Sequence, residues 1–109
     1  MLNQTVLVGR LTKDPELYET ENGNKMTRLT LAVPRSYKNV DGEYDTDFIN
    51  CKLWKGVAES TAEYCKKGDL VGLKGRLQSG SYEGEQGRQF YTEVVAEKVT
   101  FLSSKSKNN

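Results

Sequence analysis

The sequence predicts an all-β domain, a small barrel of five strands with one short helix between the third and fourth. Three observations carry this. Several β-branched or aromatic runs alternate in polarity, as strands with one solvated face do. Turn signals such as Asp14-Pro15, Asn22-Gly23 and Asp41-Gly42 separate these runs. A single stretch, 57 to 68, has its apolar residues at helical spacing.

The first strand is "QTVLVGRL" (4 to 11), and "TKDPELYETENGNK" reads as the loop behind it. "MTRLTLAV" (26 to 33) puts Leu29, Leu31 and Val33 on one face and Arg28 and Thr30 on the other. Pro34 has no amide hydrogen for a ladder, so this strand ends there or becomes an edge. "RSYKNVDGEYDT" is then a polar hairpin arm, and "DFINCKLWKG" (47 to 56) the third strand. In "VAESTAEYCKKG" (57 to 68), Val57, Thr61, Tyr64 and Cys65 form one helical stripe. Lys66 and Lys67 fall in its last turn, and Gly68 just past it. "DLVGLKGRL" (69 to 77) turns Val71, Leu73 and Leu77 inward and Lys74 and Arg76 outward. "SGSYEGEQGRQ" is the tip of a long hairpin, and "FYTEVVAEKVTFL" (90 to 102) supplies two closing strands around Glu97-Lys98. Three strands, one short helix and then two or three more strands give the order of the five-stranded Greek-key barrel called the OB-fold, with another small barrel or a sandwich as the alternative on pattern alone. Residues 1–102 make one domain, and "SSKSKNN" (103 to 109) is a polar tail expected to be disordered.

At 109 residues the chain is long enough to bury a core without staples. No apolar run approaches the roughly 18 residues of a membrane span, and no basic segment precedes the short apolar stretch at the N-terminus. A cytoplasmic location is therefore expected. Cys51 and Cys65 fall on core positions and read as buried free thiols, not as a disulfide or a zinc site. Sixteen bases against 15 acids give a net charge of +1, but the charges are unevenly placed. Six acids, Asp41, Glu43, Asp45, Asp47, Glu83 and Glu85, lie in two polar segments, so 16 bases face only 9 acids elsewhere. A locally positive surface is available, and local potential is what a polyanion meets.

Catalysis finds no footing. The chain has no histidine, the commonest general base. The glycines at 80, 84 and 87 have neither the spacing nor the strand-to-helix setting of a nucleotide loop. Asp14 and Glu16, like the acids of 41 to 47, read as solvated loop charges. No cofactor and no metal are expected.

The signal that remains is aromatic. In "DFINCKLWKG" the odd positions Ile49, Cys51 and Leu53 form a core face. The even positions put Phe48 and Trp54 on the polar face with Asn50 and Lys52 between them. Six residues of strand separate the two aromatics, roughly 20 Å. Tyr37 in "RSYKN" and Tyr82 in "SGSYEG" stand in polar, turn-rich settings as well. Each base of a single-stranded nucleic acid offers a π-face, and each nucleotide a phosphate. Aromatics interleaved with Lys and Arg stack the first and neutralise the second. The competing reading is burial of Phe48 and Trp54 under the helix or a partner protein. Phe90, Tyr91 and Phe101, in apolar strands, read as core or interface, and Tyr64 as core.

Five segments in order then make the chain resemble the bacterial single-stranded DNA-binding proteins: "LVGRLTKDPEL", "LTLAVPRSYKN", "DFINCKLWKGVAE", "YCKKGDLVGLKGRLQ" and "YTEVVAEKVTFL". The resemblance implies an OB-fold assembled as a homotetramer, binding single-stranded DNA without sequence preference and without catalysis. The family's base-stacking positions fall on Tyr37, Phe48, Trp54 and Tyr82. Matching backbone-contact positions are Arg10, Arg35, Lys38, Lys55, Lys67 and Arg76, and Lys52 and Lys74 join them on facing grounds. An RNA-binding OB module and a non-catalytic protein-interaction subunit are the rival readings. Family members typically continue through a linker to an acidic tip that recruits replication and repair enzymes. The sequence here ends on "SSKSKNN", with two lysines and no acid, so recruitment through such a tail is not expected. A short paralogue like those of Gram-positive bacteria associated with DNA uptake, or a truncated or mobile-element form, fits that ending.

Overall fold

In a computed structural model of the chain, whose described residues are 1–103, six strands and one helix follow one another. They are β1 (Thr5–Leu11), β2 (Tyr18–Glu19), β3 (Lys25–Lys38), β4 (Tyr44–Trp54), α1 (Lys55–Tyr64), β5 (Leu70–Gly84) and β6 (Gly87–Ser103). The sheet order is β1-β5-β6-β4-β3-β2, and a further β1–β3 pairing at Arg10–Ala32 and Leu11–Leu31 closes it into a barrel. Closure leaves five barrel strands. The two-residue β2, inside the predicted loop, only adds a short edge to β3. Counted along the barrel strands, α1 lies between the third and fourth, as expected of an OB-fold.

Alternation dictates the core. Leu29 and Leu31 from β3, Cys51 and Leu53 from β4, Val71 and Leu73 from β5, and Val94 and Ala96 from β6 are all buried. Leu11 ends β1 among them, and Ala58 of α1 covers them. Ile49 packs against this cluster only partly buried, near one end of the barrel. Both cysteines are free thiols in this interior.

Several local expectations change, each for a tertiary reason. β3 does not stop at Pro34 but runs on to Lys38. The pairs Pro34–Thr46 and Lys38–Tyr44 enclose more residues on β3 than on β4, so Pro34 sits beside a bulge where a missing amide hydrogen matters less. α1 begins at Lys55 and ends at Tyr64, leaving Lys66 and Lys67 outside it. Cys65 turns extended, and the Asp69 carboxylate accepts from the Lys66 amide, making a separate turn of 66–69. Ala58 and Thr61 are its buried face, which leaves Tyr64 exposed against the ring of Phe101, 6.1 Å between centroids. Tyr64 is thus not core.

The closing segment is one strand, not two. Lys74–Lys98 is followed by Gly75–Ala96, so Glu97 bulges out and β6 bends without breaking. The bend presses the strands together: a Cβ on Gly75 would lie 2.2 Å from the Val95 carbonyl oxygen. β5 loses its β1 neighbour after Gly75, and beyond Leu77, whose partner Val94 still pairs with Cys51, the β5–β6 pair leaves the barrel as a two-stranded ribbon. Leu77, predicted inward, is 50% exposed at this exit, and Phe90 and Tyr91 on the ribbon are exposed rather than core. Phe101 is exposed too, but within the barrel, where it pairs with Val71 and lies beside Tyr64. The disorder expected of the tail falls, from residue 104 on, outside the described residues.

Candidate nucleic-acid interface

Strand register assembles the site. β3 and β4 pair Ala32 with Phe48, Thr30 with Asn50, Arg28 with Lys52 and Met26 with Trp54. All eight share the outward parity, opposite the buried Leu29, Leu31, Cys51 and Leu53. Alanine opposite Phe48 leaves its ring uncovered, and Phe48 is 65% exposed. Trp54 ends β4 as the residue before α1. Its neighbour Lys55 takes a left-handed backbone (φ 54°) that swings the chain from strand to helix.

β6 carries the row further. Val95 pairs with Lys52 on one side and with Arg76 on the other, placing Arg76, Lys52 and Arg28 in one line across the sheet. Lys74, on the same parity of β5, stands one step along and opposite Lys98. Next to this line lies Glu93, an acid only 4% exposed. Its Oε2 accepts from Arg28 Nη1 at 2.9 Å, and its Oε1 stands 2.8 Å from Lys52 Nζ, an ion-pair contact without the alignment of a hydrogen bond. Lys52 is itself 8% exposed, and its ammonium also lies 5.6 Å from the centre of the Trp54 ring. Lys52 therefore departs from the open position expected of it: Glu93, distant in sequence, takes its charge.

The β5–β6 ribbon curls over this face. A groove of about 410 Å³ is lined by Arg28, Thr30 and Asn50 from β3 and β4, by Tyr82, Tyr91 and Glu93 from the ribbon, and by Lys13. Tyr82, 59% exposed, is thus carried from the far hairpin to the face that holds Phe48 and Trp54. Cys51 touches the groove floor, but burial, with the Glu93 charge adding to it, pushes its thiol up to about 12, so it is no nucleophile at neutral pH.

The other predicted residues lie apart. Tyr37, Arg35 and Lys38 ride the projecting β3–β4 hairpin. There Arg35 grips the Asp47 carboxylate through Nε and Nη2 at 2.9 to 3.2 Å, and Lys38 Nζ lies 5.8 Å from the Tyr44 ring. The Arg35 hydrogen bonds hold the Asp47 carboxyl below its ordinary range. Arg10 Nη1 donates to the Gly68 carbonyl, which puts it beside Lys67 at the turn into β5. Arg76 donates to Gln78 Oε1, and Lys55 is exposed at the start of α1. Among the described residues no group of three or more His, Cys, Asp or Glu side chains is placed to hold a metal ion. Nor is any helix among them long and apolar enough to cross a membrane.

An outward row of aromatics and cations on a closed five-stranded barrel is paralleled in sequence: the model of the single-strand binding protein family matches residues 2–102. The chain belongs to the single-strand binding protein family. It is 54% identical over 106 residues to "Single-stranded DNA-binding protein B" of Bacillus subtilis (strain 168), covering 96% of this chain and 94% of that one. It is 55% identical over 107 residues to "Single-stranded DNA-binding protein A" of the same organism, covering 97% of this chain and 62% of that longer one. "Single-stranded DNA-binding protein 2" of Staphylococcus aureus (strain COL) is 53% identical over 109 residues, covering 99% and 78%.

In this member of the single-strand binding protein family, sequence reasoning passed over four groove residues. Arg28 was legible, since it shares the outward parity of its strand and meets Lys52 in the next. Tyr91 was hidden because its apolar run suggested core. Glu93 and Lys13 carried no local signal, because what matters is their approach to distant strands.

Proposed function

We propose that residues 1–102 act as one domain that binds and protects single-stranded DNA without reading its sequence and without catalysis. Bases stack on Phe48, Trp54 and Tyr82, with Tyr37 extending the path along its hairpin. Phosphates follow Arg28 and Lys13 in the groove, and Arg10, Arg35, Lys38, Lys55, Lys67, Lys74 and Arg76 around it. The carrying observation is that the ribbon brings Tyr82 over the same face that bears the exposed ring of Phe48 and the half-buried ring of Trp54. The names of the relatives point the same way. Lys52, buried against Glu93, supports Trp54 more than it meets a phosphate.

Trp54 is the only tryptophan, so titration with oligo(dT) reads the site directly. Strong quenching at saturation is expected, with affinity falling as salt rises at a log–log slope of about −0.7 per phosphate neutralised. Unchanged fluorescence at saturating DNA, or affinity independent of salt, overturns this function. Preference for poly(rU) over poly(dT) makes it an RNA-binding module instead. We also propose a homotetramer. The exposed Val6 and Val8 of β1 and the exposed Tyr64, Phe101 and Leu102 are the apolar surface such contacts would cover, and a solution molar mass of one chain refutes it. The expected setting is the bacterial cytoplasm and nucleoid, wherever replication, recombination, repair or DNA uptake exposes single strands.

A further inference from the structure

Tyr82 stands on a two-stranded ribbon that has left the barrel, so no layer of core holds its side chain from below. Its support comes from across the ribbon. Gly80 and Tyr91 face one another in the β5–β6 register, and Tyr82 lies two residues beyond Gly80 on the same side. Tyr91 is thus the diagonal neighbour of Tyr82, a separation that aromatic side chains span. The two rings lie 6.4 Å apart at an interplanar angle of 33°. They are too close for a base to enter between them, and close enough to pack.

Gly80 makes this possible. A Cβ there would fall 2.3 Å from both Cζ and the hydroxyl oxygen of Tyr91 and 2.7 Å from its Cε1. The Tyr91 ring therefore lies flat across the strand, over the gap where Gly80 has no side chain. It remains 39% exposed while lining the same groove as Tyr82. An unsupported tyrosine on a projecting ribbon samples several rotamers, and a stacking contact would have to order it. One already packed against a second ring is preorganised.

We propose that Tyr91, seated over Gly80, is a positioning residue that holds Tyr82 in the groove for base stacking. This rests on the DNA-binding function above. The test is a double-mutant cycle read by Trp54 fluorescence with oligo(dT), which leaves the probe untouched, accompanied by thermal melts. Tyr82→Ala is expected to weaken binding by about fivefold or more, the low end for one stacked base. Tyr91→Ala alone causes most of that loss, and the double variant binds within about twofold of Tyr82→Ala. Tyr91→Phe keeps wild-type affinity, because the ring and not the hydroxyl does the packing. Gly80→Ala reproduces Tyr91→Ala, since the nearest atoms are the movable end of the ring and not backbone, and it serves if Tyr91→Ala melts below the assay temperature. The salt slope stays unchanged in all of them.

Losses that multiply in the double variant would mean that Tyr91 stacks a base of its own, and they overturn the proposal. So does wild-type binding by Tyr91→Ala and Gly80→Ala, or a Tyr82→Ala variant with full affinity. A wild-type protein that binds no oligo(dT) removes the functional basis as well, whereas intact wild-type binding with an additive cycle removes the positioning role alone.

Discussion

Replacing Glu93 by glutamine removes one charge from an enclosed ionic cluster. The carboxylate is 4% exposed and lies within 3 Å of two cations, at 2.9 Å from Arg28 Nη1 and 2.8 Å from Lys52 Nζ. The two partners are unequal. The Arg28 side chain is more than half exposed, so water screens it and its share is worth about 0–1 kcal/mol. The Lys52 side chain is 10% exposed and is left beside a neutral amide, with the Trp54 face as its remaining contact. Breaking a buried pair from one side costs about 3–5 kcal/mol, because the orphaned charge stays out of water. Glu93→Gln should therefore lose about 3 kcal/mol, which for a domain of this size lowers the melting temperature by roughly 12–24 °C. Urea unfolding followed by circular dichroism gives the number directly, through a lower midpoint at unchanged slope. Adding Lys52→Met removes the stranded ammonium and should restore most of the loss. A single variant within about 1 kcal/mol of wild type refutes this reasoning, as does a double variant no more stable than the single.

Two further perturbations separate structure from binding. Burial pushes the thiol of Cys51 up to about 12 and that of Cys65 to about 11, from an ordinary 9.0. Both should resist a thiol reagent at pH 8 until urea unfolds the chain. Because the fold favours the protonated thiols, their contribution is complete below pH 9 and is lost as pH rises from there towards 12, so the urea midpoint falls across that window. Asp47 has the opposite sign. Its carboxyl is held low by the Arg35 hydrogen bonds, so that contribution is present above its ordinary value near 4 and is lost as pH falls below it, which an NMR titration of the side chain follows. Arg35 also lies 3.7 Å from Asp45, so the Asp47→Asn, Asp45→Asn double variant is the one that should free it for a phosphate. That variant should steepen the salt slope for oligo(dT) by up to about 0.7, with an unchanged slope showing that Arg35 stays off the path.

Much of the site was legible because it depends on parity alone. Phe48 and Trp54 could be set apart from Cys51 and Leu53 by counting along one strand, and the structure keeps them on opposite faces. Arg28 obeyed the same rule. Lys52 obeyed it too, yet is buried, since parity says which face a side chain leaves by and not what comes to cover that face. Leu77 and Tyr91 failed for the converse reason. Their runs look like core strand, but at Leu77 β5 has already lost its β1 neighbour, and the ribbon carries Tyr91 off the core and onto the groove. Tyr64 kept its helical spacing and still lost its place in the core, because α1 stops at that residue and beds on Ala58 and Thr61 instead.

What the amino-acid order determined alone was therefore local: the alternating strands, the helix, the two buried thiols, and the aromatics that alternation turns away from the core. Those follow from backbone geometry over a few residues, which the chain carries wherever it lies. The tertiary structure alone decided which distant groups meet. It set the parallel pairing of β4 with β6 that delivers Glu93 to Lys52 and Arg28, and the curl of the β5–β6 ribbon that brings Tyr82 and Tyr91 over the face of β3 and β4. Such meetings depend on barrel closure and strand bending, and these arise only when all five strands pack around one core.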